Sequence, residues 1–383
     1  MAKVYSQLVS AQANEKLVDV FLRKTQDIYT GYVEFIATDG FVLNTVNDSG
    51  VFDGYVWIKM VAVQDVSVTS PDINTMKKRM EIAENKHLFK GQTANLQAVI
   101  PEYSTAKLMD YLIQIHAVTM IVIDDKDRYH EGIITAADDA HLAYQKISSF
   151  DFSECYTPER ILRTKVEAIE FLGTELHMLT TFFRKKVSHQ DPVFINNSPI
   201  LPDLLKELGK KQQPVLISVS QHVSNFYVGE IKSVSKDSVV MSLYDQVGRF
   251  GGYAMIKQGE IASISTNADY VQLVSYFVQQ QHEHETYLQP VMDNKMQFDN
   301  QNLFADTFDQ LMQAKAMVRI RCAGKLSSQL GYILRATNSA VRVCMFDKLP
   351  RTQTHEKVIT YDKIAEVTWG YLNSYFTRKE LLK

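Results

Sequence analysis

The sequence predicts a mainly-β protein with short helices (α+β), laid out as four tandem five-stranded units that form a duplicated pair. Three observations predict it. Four glycines, Gly31, Gly132, Gly229 and Gly331, each open a strand-like run (GYVEFIATD, GIITAADD, GEIKSVSKD and GYILRATN) at spacings of 101, 97 and 102 residues. A fixed period marks tandem architecture. Segments around these runs alternate apolar and polar residues, the period of a half-buried strand. The alternate glycines agree more closely still: Gly31 to Gly229 spans 198 residues and Gly132 to Gly331 spans 199.

Each period carries the same elements in order. A short amphipathic helix comes first: the stretch around Leu8, then AKLMDYLIQIH, DLLKELGKK and ADTFDQLMQAKA. In the second of these, Leu108, Tyr111, Leu112 and Ile115 recur at steps of three and four and share one helical face. A first strand follows: LVDVFLRKT, VTMIVIDDK, PVLISVSQ or MVRIRCAG. In the last, Val318 and Ile320 alternate with Arg319 and Arg321, which leaves one wet face. The anchor glycine enters the second strand, which ends at a turn former: Asp39, Asp139, Asp237 or Asn338. The third strand is FVLNTV, HLAYQKI, VVMSLYD or VRVCMFD. A fourth reads GYVWIKM in the first repeat and GYAMIKQ in the third, and a fifth follows almost at once: VAVQDVSV, VEAIEFLG, IASISTN or IAEVTWGY. A closing helix carries Phe182-Phe183, Tyr276-Phe277 or Tyr375-Phe376, whereas the first repeat has MKKRM there.

The repeats alternate in kind. FDGYVWIK and FGGYAMIK share F-x-G-Y-x-x-I-K, and Gly54 and Gly252 each follow their anchor glycine by 23 residues. The second and fourth repeats lack this Gly-Tyr but match one another: Ile161, Val166, Ile169 and Phe171 lie 198 residues before Ile359, Ile364, Val367 and Trp369. The order is A-B-A′-B′, with expected domains at 1–90, 91–187, 188–286 and 287–383. The polar stretch QQQHEHETYLQPVMDNKMQFDNQN reads as an exposed connector between the last two.

Composition narrows the function. The 383 residues are 45% hydrophobic and 22% charged with a net charge of −3, which argues against a protein that coats nucleic acid through many phosphate contacts. Cys155, Cys322 and Cys344 show no paired spacing, so neither a disulfide framework nor a zinc site is expected. The first residues have no signal-peptide layout, and no segment offers the roughly 18 apolar residues of a membrane span. A cytoplasmic protein without a membrane partner, metal or cofactor is the expectation. Signatures of catalysis (G-x-S-x-G, a Gly-rich phosphate loop, H-E-x-x-H) are missing, which points away from an enzyme. His282-Glu283-His284-Glu285 is read as solvated linker, and the clusters Lys77-Lys78-Arg79, Arg184-Lys185-Lys186, Lys210-Lys211 and Arg378-Lys379 as helix-terminal cations.

A helix followed by five short, bent strands is the layout of a small SH3-like barrel, and the detail resembles the Sm-like (LSm) family. That family's first motif runs from a glycine through an apolar position and an acidic turn to an aromatic or His, then Asn. Gly31, Val33, Asp39, Phe41 and Asn44 follow that order; Gly132, Ile134, Asp139 and His141 do so in the second repeat, with Tyr144 in place of Asn. A basic residue precedes the last strand in the second motif, and Lys59, Arg163 and Lys257 stand near that place. The sequence departs from the pattern in its longer glycine-to-Asp interval, in the late Asn44 and in Val239 and Val341 where an aromatic is sought.

The resemblance implies four Sm-like five-stranded small barrels in a duplicated two-barrel unit, binding single-stranded RNA where the turns converge. Asp39, Phe41, Asn44 and Lys59 would form one base pocket, His141, Tyr144 and Arg163 its counterpart, and Lys257 a remnant in the third repeat. Stacking of a base on an aromatic contributes roughly 1–3 kcal/mol, and unpaired RNA bases are accessible to it. The bland alternative makes Phe41 and Tyr144 ordinary strand residues and Asp39 a turn former. Gly54-Tyr55 and Gly252-Tyr253 are either a partner-binding lip or a glycine-permitted bulge with a packed tyrosine. Two function classes follow: a single-stranded RNA binder, or a structural or regulatory scaffold that holds proteins or further copies of itself through barrel edge strands.

Overall fold

The computed structural model of the chain describes residues 2–91, 96–100, 103–196, 199–219, 226–298, 301–347 and 353–381. The chain divides into two compact units, Met1–His189 and Gln190–Lys383.

In the first unit, helix α1 (Ala2–Ala13) buries Val4, Leu8 and Ala11, one stripe at helical spacing. Strands β1 (Leu17–Leu22), β2 (Ile28–Ile36), β3 (Gly40–Val46), β4 (Phe52–Lys59) and β5 (Val63–Ser67) follow, and α2 (Pro71–Asn85) closes the repeat. The second repeat has α3 (Leu96–Val99), α4 (Thr105–Ile115), β6 (Val118–Ile123), β7 (Tyr129–Ala137), β8 (His141–Lys146), β9 (Pro158–Leu162), β10 (Val166–Phe171) and α5 (Thr174–Phe183). These strands make one ten-stranded sheet in the order β5-β1-β2-β3-β4-β10-β6-β7-β8-β9.

The second unit repeats the plan with β11 (Ile195–Asn196), α6 (Leu201–Lys211), β12 (Val215–Ser218), β13 (Phe226–Val234), β14 (Ser238–Tyr244), β15 (Phe250–Lys257), β16 (Ser263–Ser265) and α7 (Asp269–Glu283). Then come α8 (Leu303–Gln313), β17 (Met317–Cys322), β18 (Gln329–Ala336), β19 (Ala340–Phe346), β20 (Thr354–Thr360), β21 (Ile364–Trp369) and α9 (Leu372–Leu381). Its eleven-stranded sheet runs β11-β16-β12-β13-β14-β15-β21-β17-β18-β19-β20. The protein is therefore mainly β with short helices around two large antiparallel sheets. Among the described residues no ladder closes into a barrel. The fifth and fourth strands of a repeat stand at opposite ends of its five-stranded strip, and the fourth strand of an A repeat pairs instead with the fifth strand of the B repeat that follows. No helix among the described residues is long and apolar enough to cross a membrane.

The anchor glycines let neighbouring backbones approach. A Cβ on Gly31 would lie 2.4 Å from the Asn44 carbonyl oxygen and one on Gly229 2.0 Å from that of Ser242. Just beyond each glycine the ladder shifts register, at Val33/Phe35, Ile134/Ala136, Ile231/Ser233 and Ile333/Arg335. Such bulges bend a strand and increase its twist.

The Gly-Tyr pairs build the junction within each unit. Gly54 has φ +81° and a Cβ there would meet Gly173 N at 2.3 Å; Gly252 has φ +96° and would meet the Trp369 carbonyl oxygen at 2.4 Å. The next residue sits opposite an aromatic across the new ladder: Tyr55 stacks on Phe171 at 5.7 Å and Tyr253 on Trp369 at 5.6 Å. Asp53 completes the first junction by accepting the Thr174 backbone N–H (2.8 Å) and hydroxyl (2.7 Å) at the start of α5. The Gly-Tyr motif is thus an internal joint, and its tyrosines are buried. A single apolar core crosses each joint. Phe35, Val42 and Trp57 of the first repeat pack with Leu108, Ile121 and Ile169 of the second, and Val240 and Met255 pack with Phe308, Val318 and Val367.

The connector expected at 279–302 is a correction. Its first residues end α7, and Tyr287, Leu288, Met292, Met296 and Phe298 pack on the core of the fourth repeat. Polar composition hid these apolar residues, because they recur at neither strand nor helix period.

Replacing Gly54 by Ala is expected to weaken the joint by about 1–3 kcal/mol through the dihedral alone. Denaturant unfolding of the full chain should show a lower midpoint, and hydrogen exchange should quicken first in β4 and β10. Unchanged exchange in those strands would contradict the joint's role.

Candidate functional site

The turns of the first unit converge at the end of the β4–β10 ladder. The β2–β3 turn closes with the Ala37 N–H donating to the Gly40 carbonyl (2.8 Å), and the Asp39 carbonyl accepts the Met60 N–H (2.9 Å) just past β4. Lys59 stands opposite Gly40 in the ladder, which brings it beside Asp39. Its ammonium donates to the carbonyls of Arg163 (2.8 Å) and Thr164 (3.2 Å) in the turn before β10. Arg163 returns the contact, with a guanidinium nitrogen 3.9 Å from the Asp39 carboxylate and another donating to the Asp138 carbonyl at 3.0 Å. The Thr105 hydroxyl, at the first turn of α4, donates to the Asp39 carboxylate and accepts the Trp57 indole N–H (3.0 Å). Asp39, Lys59 and Arg163 are therefore brought together as the motif residues suggest.

The electrostatics make this cluster a clasp. Desolvation, then the neighbouring Arg163 charge, pulls the Lys59 ammonium below its ordinary value. Asp138 is held below the usual carboxylate range by the backbone N–H groups of His141 and Ala140. The turn acid of the second repeat is Asp138, one position before the expected Asp139, and it accepts those N–H groups at 2.6 and 2.8 Å. His141 lies beside it, Nδ1 3.7 Å from the carboxylate.

The remaining predicted residues lie elsewhere. Phe41 is 0% exposed and Tyr144 1%, so neither ring has a face left for a base. Both occupy inward strand positions, where the alternation of side chains sends them into the core. The Tyr144 hydroxyl is also engaged, with Glu159 and with His130 Nδ1 at 3.0 Å. Asn44 stands in the ladder opposite Tyr32 and Tyr55, away from the turn, with its side-chain oxygen buried and unpaired. Lys257 of the second unit lies 3.3 Å from the Asp237 carboxylate and 5.5 Å over the Phe304 ring, which stacks on Tyr361 at 5.1 Å. Trp57, Thr105 and Phe304 escape sequence reasoning because they come from a strand and from helix starts that only folding sets beside the turns.

Two clefts adjoin the joints. That of the first unit, about 230 Å³, is lined by Tyr29, Asp53, Tyr55, Glu131, Glu170 and Phe171. Burial raises the pKa of Glu131 and Glu170; a Ser149 hydroxyl (3.1 Å) and the Tyr29 hydroxyl (2.7 Å) offset it in part. The cleft of the second unit, about 480 Å³, is lined by Tyr253, Met292, Met296, Trp369, Tyr371 and Arg378 among others. No family model and no curated protein matches this chain.

Lys59→Met is expected to cost about 1 kcal/mol by removing the two bonds across the joint, read as a lower denaturant midpoint with faster exchange in β10. Glu170 gives a pH test. Its folded pKa lies above the unfolded value of about 4.3, so its stability contribution is complete below that value and is lost as pH rises toward the folded pKa. Glu170→Gln should therefore melt higher than the parent at neutral pH, with the difference closing near about pH 4. A pH-independent difference would contradict the assignment.

Proposed function

We propose that the chain is a non-enzymatic, Sm-like protein-interaction scaffold that takes up partner strands at its open sheet edges. The observation that carries this is the joint itself. Each unit already joins two five-stranded strips by pairing a fourth strand with a fifth, β4 with β10 and β15 with β21. Among the described residues, β5 and β9 end the first sheet and the two-residue β11 and β20 end the second, each with one side unpaired. Edge-to-edge joining of strips is the feature that supports this reading. Strand addition of this kind draws affinity from main-chain hydrogen bonds and specificity from alternate side chains.

The open edges are guarded against indiscriminate pairing. Pro158 begins β9, His355, Glu356 and Lys357 stud β20, and Gln64 and Asp65 face solvent on β5. Leu162 and Val358 remain exposed apolar positions on those edges.

A second reading, single-stranded RNA at the turns, is favoured by the convergence of Asp39, Lys59 and Arg163. It ranks lower because the aromatic rings that would stack a base are buried and both cations are already engaged. Nucleic-acid absorbance in protein purified without nuclease would revive it.

Full-length protein should form a defined oligomer or a stoichiometric protein complex by light scattering. Leu162→Lys with Val358→Lys should weaken that association roughly tenfold while leaving the melting temperature in place. A protein that stays monomeric and partner-free at all concentrations, with edge amides exchanging equally fast throughout, would sink the proposal.

A further inference from the structure

We infer that the cleft of the second unit is a binding site for a small aromatic carboxylate, apart from the turns and the sheet edges and independent of the scaffold reading. Shape is the first observation. The cleft measures about 480 Å³. Small-molecule sites are concave spaces of this order, mostly apolar, with a few placed polar groups. Its floor is the aromatic pair of the joint, Tyr253 stacked on Trp369, both buried. One wall is the end of α8 with Leu311 and Ala314, and another is the segment carrying Met292 and Met296. The Met296 sulfur accepts the Trp369 indole N–H (3.0 Å), which holds that segment to the floor. The last wall is one helical face: Tyr371 just before α9, then Ser374, Tyr375 and Arg378 within it.

Comparison with the first unit is the second observation. Helix α5 lies 198 residues before α9, and its corresponding face reads Gly173, Leu176, His177 and Thr180. There the Thr180 hydroxyl accepts the Val118 N–H (2.9 Å) at the start of β6, and Leu176 and Thr180 are buried. The counterparts of Thr180 and Val118 are Arg378 and Met317, and both line the cleft. A guanidinium has no acceptor for an amide N–H, so the bond that seats α5 on its strand has no equivalent from Arg378. One plan thus occurs closed in one unit and open in the other, and the fold itself does not require the opening.

Charge is the third. Arg378 is exposed and has no ion pair or hydrogen bond among the described residues. Lys295 is a second cation on the lining, and Asp293 is the one acid among the described lining residues, its carboxylate accepting the Lys295 backbone N–H (2.9 Å). Two further cations lie against the tyrosines of the cleft. Arg319 donates to the Tyr371 hydroxyl (2.8 Å) with its guanidinium 5.8 Å from that ring, and the Lys379 ammonium lies 5.8 Å over Tyr375. Four cations around one carboxylate favour an anionic ligand. The planar fork of Arg378 matches a carboxylate, which it grips through two parallel bonds.

The apolar lining selects the body of the ligand. Tyr371, Tyr375, Met292 and Met296 are only half-buried, so ring and thioether surface is left to cover. Aromatic pairs gain beyond the area they bury, and a methionine sulfur favours the edge of an aromatic ring. A rigid ring also loses less freedom on binding than a flexible acyl chain.

The test is calorimetric titration of the full chain with naphthoate, naphthalenemethanol and naphthylmethylamine, which share a body and differ in charge. Naphthoate should bind at least roughly tenfold more tightly than the alcohol, and the amine more weakly than either. Arg378→Gln should weaken naphthoate roughly tenfold and leave the alcohol unchanged, whereas Arg378→Lys should recover part of the loss, because it keeps the charge without the fork. Ala314→Phe, at an exposed position with helical dihedrals ending α8, should fill the cleft and abolish binding at an unchanged melting temperature. Leu162→Lys, which alters an edge of the other unit, should leave naphthoate binding intact, so failure of the scaffold reading and failure of this one are distinguishable. The inference is overturned by any of four results: no saturable heat with naphthoate, equal affinity for the acid and the alcohol, full affinity in Ala314→Phe, or uridine monophosphate binding as tightly as naphthoate.

Discussion

Everything in each unit depends on one antiparallel ladder, the pairing of an A repeat's fourth strand with the following B repeat's fifth. Without it the sheet would end at β4 or β15, and the apolar residues of the two strips would face water separately. With it, one core runs through both repeats, and the joint becomes the most constrained place in the fold. Gly54 and Gly252 hold positive φ where backbones meet too closely for any side chain, and each is followed by a tyrosine stacked across the ladder. The Gly-Tyr motif marks the A repeats, whose fourth strands make this ladder; the fourth strands of the B repeats, β9 and β20, are sheet edges among the described residues.

The same ladder decides the chemistry of the turns. It carries Lys59 to the carbonyls before β10 and Arg163 to the carboxylate of Asp39, so charges that look free in the sequence become fastenings between repeats. In the second unit the equivalent position holds Tyr361, and Lys257 lies over an aromatic ring instead. The two joints thus share backbone geometry and a stacked aromatic pair, and differ in their lysines: Lys59 bonds carbonyls of the following repeat, whereas Lys257 pairs with Asp237 and lies over Phe304.

Much of the fold was legible. Helices expected over 106–116, 203–211 and 305–316 lie within one to three residues of α4, α6 and α8, and the strands fall along the chain in the expected order. The site was legible only in part. Asp39, Lys59 and Arg163 came together, since turn residues flanking adjacent strands must meet. Phe41 and Tyr144 did not serve as base platforms, because whether an aromatic near a turn faces inward depends on register, and a single bulge changes that register. The segment carrying Tyr287 and Met296 was misjudged because its apolar residues follow no period, yet they cover the second joint.

By itself the sequence determined the mainly-β class and the order of strands and helices along the chain, since these are written in spacing and alternation, which are local. Only the tertiary structure decided that the strips merge edge to edge, that the Gly-Tyr pairs are the hinge of that merger, and which cations stay free. Those outcomes depend on strand partners more than a hundred residues apart, as with Trp57 opposite Ile169. No local pattern encodes such pairings, because any strand with the right alternation offers the same hydrogen-bonding groups.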